Sequence, residues 1–198
     1  MIRRAALCAV AVILSSCATR GPVDQERVAP AWSERKAKLE QIHNFSVQAR
    51  AAVTGAASGS ASLVWHQSPH DFDLRVSGPL GIGALTMAGD ENEVRVHTKK
   101  QSFTTNDPEG TLHDALGWDL PIKGLRYWVL SLPSPDSEFG MTLDSEGRVA
   151  TLTQDGWQLS YTDYMSEKPV DLPRRILLNR DNVQVRVIVD TWSDLTAP

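Results

Sequence analysis

Alternation of apolar and polar residues dominates the chain from residue 44 to residue 189. The pattern is clearest between residues 71 and 77, where Phe72, Leu74 and Val76 alternate with polar side chains. A period of two is typical of β-strands that have one apolar and one polar face. The same pattern predicts strands at residues 45–49, 59–65, 84–88, 93–98 and 102–105.

Two helix signals interrupt the alternation between residues 107 and 135. Asp107 and Pro108 are typical of an N-cap and a first helical position, and Gly117 ends that helix. A second start at residues 119–121 leads into an apolar stripe that ends before Pro133. The members of this stripe are Leu125, Trp128, Val129 and Leu132.

Alternation then returns and predicts the remaining strands at residues 139–143, 149–154, 157–161, 174–179 and 183–189. Residues 30–43 favour a thinly amphipathic first helix, with Trp32, Leu39 and Ile42 near one face. The fold class is therefore mostly β, with about eleven antiparallel strands and three short helices. A sheet of this length rarely stays flat, so we expect a highly curved sheet whose helix-covered side forms an apolar cavity.

The N-terminus has the pattern of a bacterial export signal. Arg3 and Arg4 precede an apolar run over residues 5–14 and the small residues Ser15 and Ser16. That run is too short to span a bilayer as a mature helix. Cys17 follows directly, and the arrangement resembles the lipobox of bacterial lipoproteins. An uncleaved N-terminus with an incidental cysteine is the alternative, but the charge, apolar run, small residues and cysteine all occur in the expected order.

The lipobox divides the chain into a signal peptide at residues 1–16, a lipidated tether at residues 17–29 and one domain at residues 30–198. Removal of the signal leaves 18 basic against 24 acidic residues, a net charge of −6. This balance does not indicate nucleic-acid binding, which requires a basic face. Cys8 is lost with the signal and Cys17 is lipidated, so no disulfide is expected. Ala18 replaces the aspartate of an inner-membrane retention signal, which favours the outer membrane.

No catalytic motif or metal site is expected. His66 and His70 have four-residue spacing, but a proline lies between them and a turn is their natural context. Asp71 and Asp73 share the polar face of a strand, where solvation is the usual state. Neither pair indicates an enzyme, and no segment resembles a cofactor or nucleotide site.

The segment from residue 77 to residue 83 contains three glycines and a proline, yet it also carries Leu80 and Ile82. A loop of this composition is normally exposed. The two apolar side chains either fold back against the end of the barrel or form an apolar tip that inserts into a bilayer. The composition leaves both interpretations open.

Several motifs resemble the LolB family of outer-membrane lipoproteins by their order and spacing. They run from the lipobox to the C-terminal region. They comprise Trp65-His66-Gln67, Gly78-Pro79-Leu80-Gly81, Leu116-Gly117-Trp118, Leu125-Arg126-Tyr127-Trp128, Gln154-Asp155-Gly156-Trp157, Leu172-Pro173 and Trp192.

The resemblance implies an incomplete barrel with a helical lid over an apolar cavity, anchored in the outer membrane and facing the periplasm. It also implies that the protein accepts client lipoproteins from the periplasmic carrier LolA and inserts them into the bilayer. Leu80 matches an exposed leucine of a protruding loop that this release requires, with Ile82 beside it. Ser131 departs from the family, which commonly has glycine there.

We hypothesise that acyl chains bind the inner side of the sheet at Trp65, Phe72, Leu74 and Trp128. No cofactor, metal or nucleic acid is expected, and the protein is taken to be a monomer. The alternative function is that of a lipid-anchored scaffolding lipoprotein, whose cavity is filled by its own side chains.

Overall fold

Eleven antiparallel strands form a single sheet, as the alternation predicts. The computed structural model describes residues 23–55, 58–79, 84–90, 92–111, 122–135, 137–167 and 169–196. Cys17, Leu80, Ile82 and most of the first predicted lid helix lie outside these residues. The strands are β1 Asn44–Thr54, β2 Gly59–Gln67, β3 Phe72–Ser77, β4 Leu85–Gly89, β5 Val94–Thr98, β6 Ser102–Thr105, β7 Phe139–Leu143, β8 Val149–Gln154, β9 Trp157–Met165, β10 Leu172–Arg180 and β11 Val183–Thr196.

The sheet is not closed. Its strand order is β6-β5-β4-β3-β2-β1-β11-β10-β9-β8-β7, so β6 and β7 are its two edges. Each pair of neighbours in this order is antiparallel. The fold class predicted from the sequence, a mostly β incomplete barrel with short helices, is confirmed.

One face of the sheet is apolar across all eleven strands. Val47 lies opposite Trp65, Trp65 opposite Leu74, and Leu74 opposite Met87, so apolar side chains form a continuous row. Because side chains alternate along each strand, the intervening polar residues point to the other face. We call these the inner and outer faces.

The two ends of the sheet differ. The turns β1–β2, β5–β6, β8–β9 and β10–β11 and the β3–β4 connection lie at one end, which we call the hairpin end. The turns β2–β3, β4–β5 and β7–β8 lie at the opposite end, which we call the helix end. This division follows directly from antiparallel meander connections.

Helix α1 spans Gln25–Leu39 and begins five residues earlier than the predicted helix. Asp24 is its N-cap, and its carboxylate accepts from the backbone N–H groups of Glu26 and Arg27. Pro30 therefore lies inside the helix and not at its first position. Its missing N–H falls one turn into the helix, so the loss is confined to the N-terminal part. The residues assigned to the end of the tether are helical instead.

Helix α1 lies across the helix end of the sheet. Val28, Trp32 and Leu39 point into the core and are buried. The Gln25 amide accepts from the Leu143 N–H at 2.8 Å and donates to the Leu143 carbonyl at 3.1 Å, so it pairs with edge strand β7 as another strand would. This side chain therefore protects part of an exposed edge.

Residues 108–111 are helical, and Asp107 caps them by accepting from the Gly110 N–H at 2.9 Å. Helix α2 spans Ile122–Trp128. Trp128, Val129 and Leu132 of the predicted stripe are buried, and Leu125 packs against the same core. The start of the first predicted helix and the burial of the second helix's apolar stripe are therefore confirmed, whereas Gly117 and the second start at residues 119–121 lie outside the described residues.

The end of α2 has the left-handed geometry that glycine normally supplies. Ser131 has a φ of +58°. The Leu132 N–H donates to the Tyr127 carbonyl and the Ser131 N–H to the Trp128 carbonyl, both at 3.0 Å. This bond pair defines a Schellman motif with Ser131 at C′, and Pro133 follows it as is common.

We expect Ser131→Gly to stabilise the protein by about 1 kcal/mol. The left-handed conformation costs a non-glycine residue about 1–2 kcal/mol, part of which the higher unfolded-state entropy of glycine offsets. Urea unfolding of the two proteins measures the difference. Ser131→Ala is the control, because it removes the hydroxyl and keeps Cβ. Equal stability of the glycine and alanine variants would contradict a backbone origin.

Strand β11 continues to Thr196, seven residues beyond its predicted end at Val189. Two register shifts against β1 explain the error, one between Asn44 and Ser46 and one between Gln48 and Ala49. Each inserts an extra residue into β11, and such bulges break the alternation while the pairing continues. After the shift at Gln48 and Ala49, the next inward side chain of β11 is Trp192, which is buried.

Candidate functional site

The inner face is covered unevenly. On the β8–β10 side, Leu152, Leu159 and Leu178 are almost completely buried, at 0%, 0% and 3% exposure. On β2, β3 and the start of β4, inward apolar side chains are only partly buried, although Met87 further along β4 is 0% exposed. We call this half the open apolar face; it consists of Leu63, Trp65, Phe72, Leu74, Val76 and Leu85.

Trp65 joins the open apolar face to the main core. Its ring meets Phe45 edge-on at 5.4 Å between centroids, and Phe45 meets Trp192 at 5.8 Å. The Trp65 Nε1–H donates to Gln67 Oε1 at 3.2 Å, so its polar atom has a partner. The exposed part of this side chain is therefore apolar.

Phe72 and Leu74 are the next two predicted site residues and lie on β3. Phe72 packs against a second small core of Met87, Val94 and Val96, which are buried to 1% exposure or less. This second core lies on the inner face of β4 and β5 and borders the open apolar face. Trp65, Phe72 and Leu74 are thus adjacent on one surface.

Trp128 is buried to 1% exposure within the main core, unlike the other three predicted site residues. Its Nε1–H donates to Gln154 Oε1 at 2.8 Å, and its carbonyl accepts from the Tyr161 hydroxyl at 2.8 Å. These bonds hold α2 against β8 and β9. Trp128 therefore positions the helix over the inner face.

Gln154 fastens the segment that follows α2. Besides Trp128, its Oε1 accepts from the Ser134 N–H at 2.9 Å, and its Nε2 donates to the carbonyls of Ser134 at 2.8 Å and Ser137 at 3.1 Å. All four hydrogen-bonding positions of this buried amide are thus used. Gln154 therefore supplies hydrogen-bond partners for backbone groups of the irregular segment after α2, which has no helix or strand neighbour to provide them.

A cluster of charged and aromatic side chains fixes α1 at the helix end. The guanidinium groups of Arg35 and Arg148 lie 5.2 and 4.9 Å from the centre of the Tyr164 ring. Arg35 also donates to the Asp171 carbonyl, and the Tyr164 hydroxyl donates to the Val149 carbonyl at 2.6 Å. Burial raises the pKa of Tyr164, an effect that the nearby arginines partly offset. Burial also lowers the pKa of Arg35.

Phe103 and Phe139 are the exposed large apolar side chains among the described residues, at 37% and 48% exposure. They lie on the two edge strands, and their pairing with Val96 and Gln154 places both on the inner side. Both occur in the predicted strands. Their exposure could not be predicted, because alternation does not show which strands lack a neighbour.

Ser46, His66 and Asp194 meet on the outer face without forming a catalytic arrangement. The Ser46 hydroxyl donates to Asp194 Oδ2 at 2.6 Å and lies 2.7 Å from His66 Nδ1. The hydrogen bonds from the Ser46 and Ser193 hydroxyls lower the pKa of Asp194, with the Ser46 bond the largest cause. The single hydroxyl proton of Ser46 is used in its hydrogen bond to the Asp194 carboxylate. It therefore does not point to His66, which is not placed to act as a base toward Ser46. His70 is exposed in the β2–β3 turn.

Within the described ranges, no group of three or more His, Cys, Asp or Glu side chains could hold a metal ion.

None of the helices in the described part of the chain is long and apolar enough to cross a membrane.

The fold is similar to that of a solved protein of the LolA superfamily. A solved structure of a LolA superfamily protein from Nitrosomonas europaea superposes with a TM-score of 0.52 at 9% identity, over 89% of this chain and 94% of that one. A family model described as outer membrane lipoprotein LolB matches residues 43–192. The chain therefore belongs to the LolB family of outer-membrane lipoproteins.

Curated relatives agree over nearly the full length. The outer-membrane lipoprotein LolB of Stutzerimonas stutzeri (strain A1501) is 35% identical over 188 residues, covering 92% of this chain and 91% of the relative. That of Pseudomonas syringae pv. syringae (strain B728a) is 34% identical over 196 residues, covering 96% of both chains. The family membership inferred from the motifs is confirmed, as are the outer-membrane location and a role in lipoprotein localisation.

Proposed function

We propose that this protein receives lipoproteins from a LolA-like periplasmic carrier, holds their acyl chains against the open apolar face and inserts them into the outer membrane. The observation that supports the proposal most directly is the uneven cover of the inner face. Leu159 on β9 is fully buried, whereas Leu74 on β3 is partly exposed although both point inward. An apolar surface kept partly open inside a curved sheet suits a ligand that must enter and leave.

The physical basis is reversible burial. Acyl chains exposed in water have an unfavourable free energy, so each protein on the route must cover them. Transfer then needs only that each site hold the chains more favourably than the previous one, with the bilayer as the final acceptor. The partly exposed residues of the open apolar face offer apolar contact area without enclosing the acyl chains completely. This arrangement favours release as well as binding.

The test uses the chain from Ala18 onward, mixed with a carrier that holds one labelled lipoprotein, and then with liposomes. A photoreactive amino acid at Leu74 is expected to cross-link the acyl chains of the transferred client. At Arg75, the next residue on β3, the same group points to the outer face and is expected to give no cross-link. Label that remains on the carrier, with the protein folded, would favour the scaffolding alternative.

We expect Leu80→Glu to reduce delivery to liposomes at least ten-fold while acceptance from the carrier is unchanged. A carboxylate at the tip of a loop that enters a bilayer opposes insertion, because burial of its charge is costly. Ser33→Glu is the matched control, since it adds the same charge on an exposed position of α1 at the other end of the sheet. Delivery by the two variants at the same rate would exclude the loop from membrane insertion.

A further inference from the structure

The hairpin between β5 and β6 carries Lys99 and Lys100 at its tip, and both are exposed. The turn is rigid: the Thr98 N–H donates to the Gln101 carbonyl at 2.8 Å, and Thr98 Oγ1 accepts from the N–H groups of Lys100 and Gln101 at 3.2 and 3.1 Å. Neither lysine has an acidic partner within the described part of the chain. In an acidic protein, this is a positive charge that no acid of the described residues pairs with.

The register places this charge beside the loop that carries Leu80. Thr98 pairs with Leu85, and Leu85 pairs with Val76, so the β5–β6 tip and the β3–β4 connection leave the sheet side by side. The same hairpin carries Phe103, one of the exposed large apolar side chains. Positive charge and apolar side chains are therefore adjacent at the hairpin end.

The charges elsewhere on the sheet give this end a defined orientation. The β4–β5 turn, at the opposite end of the same strands, carries Asp90 and Glu93. At the hairpin end, the β8–β9 turn in the other half of the sheet carries Asp155, and the β10–β11 turn carries Asp181 with the Arg180 guanidinium 3.8 Å from its carboxylate. Of these four turns, the β5–β6 turn is therefore the one whose described residues carry a net positive charge, and an anionic surface would attract it most strongly.

We propose that Lys99 and Lys100 bind the headgroups of anionic phospholipids and so orient the hairpin end, with the loop containing Leu80, toward the bilayer. This inference rests on the proposed function for the role of that loop. The occupant is a lipid surface because the lysines extend beyond the last pair of the sheet, on a hairpin that also carries the exposed Phe103. Near an anionic membrane, each lysine strengthens binding about five-fold.

The experiment measures binding of the chain from Ala18 onward to vesicles, without carrier or client. The described strands and cores all lie between residues 23 and 196, so this chain keeps them. One set of vesicles contains phosphatidylglycerol in phosphatidylethanolamine, and the other only phosphatidylethanolamine. We expect Lys99→Gln/Lys100→Gln to weaken binding to the anionic vesicles about 30-fold at low salt, and added salt to abolish the difference.

Lys36→Gln/Lys38→Gln is the matched control. It removes the same charge from α1 at the helix end, where the two lysines pair with Glu40 and Glu34, and it is expected to change binding less than two-fold. Equal losses in both double variants would overturn the proposal, since net charge alone would then explain them. The proposal would also be overturned if Lys99→Gln/Lys100→Gln weakened binding to the phosphatidylethanolamine vesicles as much as binding to the anionic vesicles.

Acceptance of a client from the carrier separates this inference from the proposed function. The Lys99→Gln/Lys100→Gln variant is expected to accept clients at the unchanged rate. A slower acceptance with unchanged vesicle binding would assign the hairpin to the carrier and overturn the lipid proposal. Loss of all transfer by the unmodified protein, with vesicle binding retained, would overturn the proposed function and leave the lipid contact standing.

Discussion

Gln154→Leu is expected to lower the free energy of unfolding by about 4 kcal/mol. The substitution leaves the Trp128 indole N–H, the Ser134 N–H and two backbone carbonyls without their partner in the core. Each buried group that loses its hydrogen bond costs about 1–3 kcal/mol, and burial of the leucine offsets only part of the sum. For a domain of this size, such a loss lowers Tm by about 8–16 °C.

Gln158→Leu is the matched control for this change. Gln158 lies in the neighbouring strand β9 and is exposed, so the same substitution there is expected to cost less than about 0.5 kcal/mol. Thermal and urea unfolding of both variants measure the difference, and hydrogen exchange at the Ser134 N–H reports local release. If the two variants are equally stable, the amide does not fasten the α2 segment.

The strands were predictable because the inner face imposes alternation on nearly every one of them. Strand β8, Val149–Gln154, has the predicted bounds, and its turn at Asp155 and Gly156 has positive φ at both residues, as an Asp-Gly hairpin requires. The start of α1 was not predictable from Pro30, because proline is common at a first helical position. Asp24 was the better signal, since its carboxylate is what caps the helix.

The candidate site was predictable only as a face. Alternation places Trp65, Leu74 and Leu159 on the inner side alike. Nothing in the neighbouring sequence distinguishes the partly exposed Trp65 and Leu74 from the buried Leu159. The difference arises from α1 and α2, which cover one half of the sheet through contacts such as those of Arg35 with Tyr164 and of Trp128 with Gln154. These contacts join residues far apart in the chain, and a pattern of period two does not encode them.

Ser131 illustrates how a departure from a family pattern can be absorbed. Glycine is favoured at C′ because it adopts positive φ without strain, yet serine keeps the same hydrogen bonds here. The helix end is therefore set by the two Schellman bonds and by the burial of Leu132. We therefore expect the departure to affect stability and not the position of α2.

We expect the unmodified protein to lose stability above pH 10. Tyr161 is buried, and its burial raises the pKa of its hydroxyl well above the ordinary value; burial also raises the pKa of Tyr164. Below pH 10, tyrosine is protonated in both the folded and the unfolded chain, so stability is complete. Above pH 10, only the unfolded chain loses these protons. The free energy of unfolding then falls by about 1.36 kcal/mol per pH unit for each tyrosine. The two tyrosines together give about 2.7 kcal/mol per pH unit.

Tyr161→Phe isolates one of these contributions. At pH 8 the variant is expected to be about 1 kcal/mol less stable, because it lacks the hydrogen bond to the Trp128 carbonyl. Above pH 10 its stability falls less steeply, so the two curves are expected to cross close to pH 11. Urea unfolding from pH 8 to pH 11.5 measures both curves, and Tyr127→Phe, at a partly exposed ring, is the control. Parallel curves for Tyr161→Phe and the unmodified protein would show that the buried hydroxyl is not what limits stability in alkali.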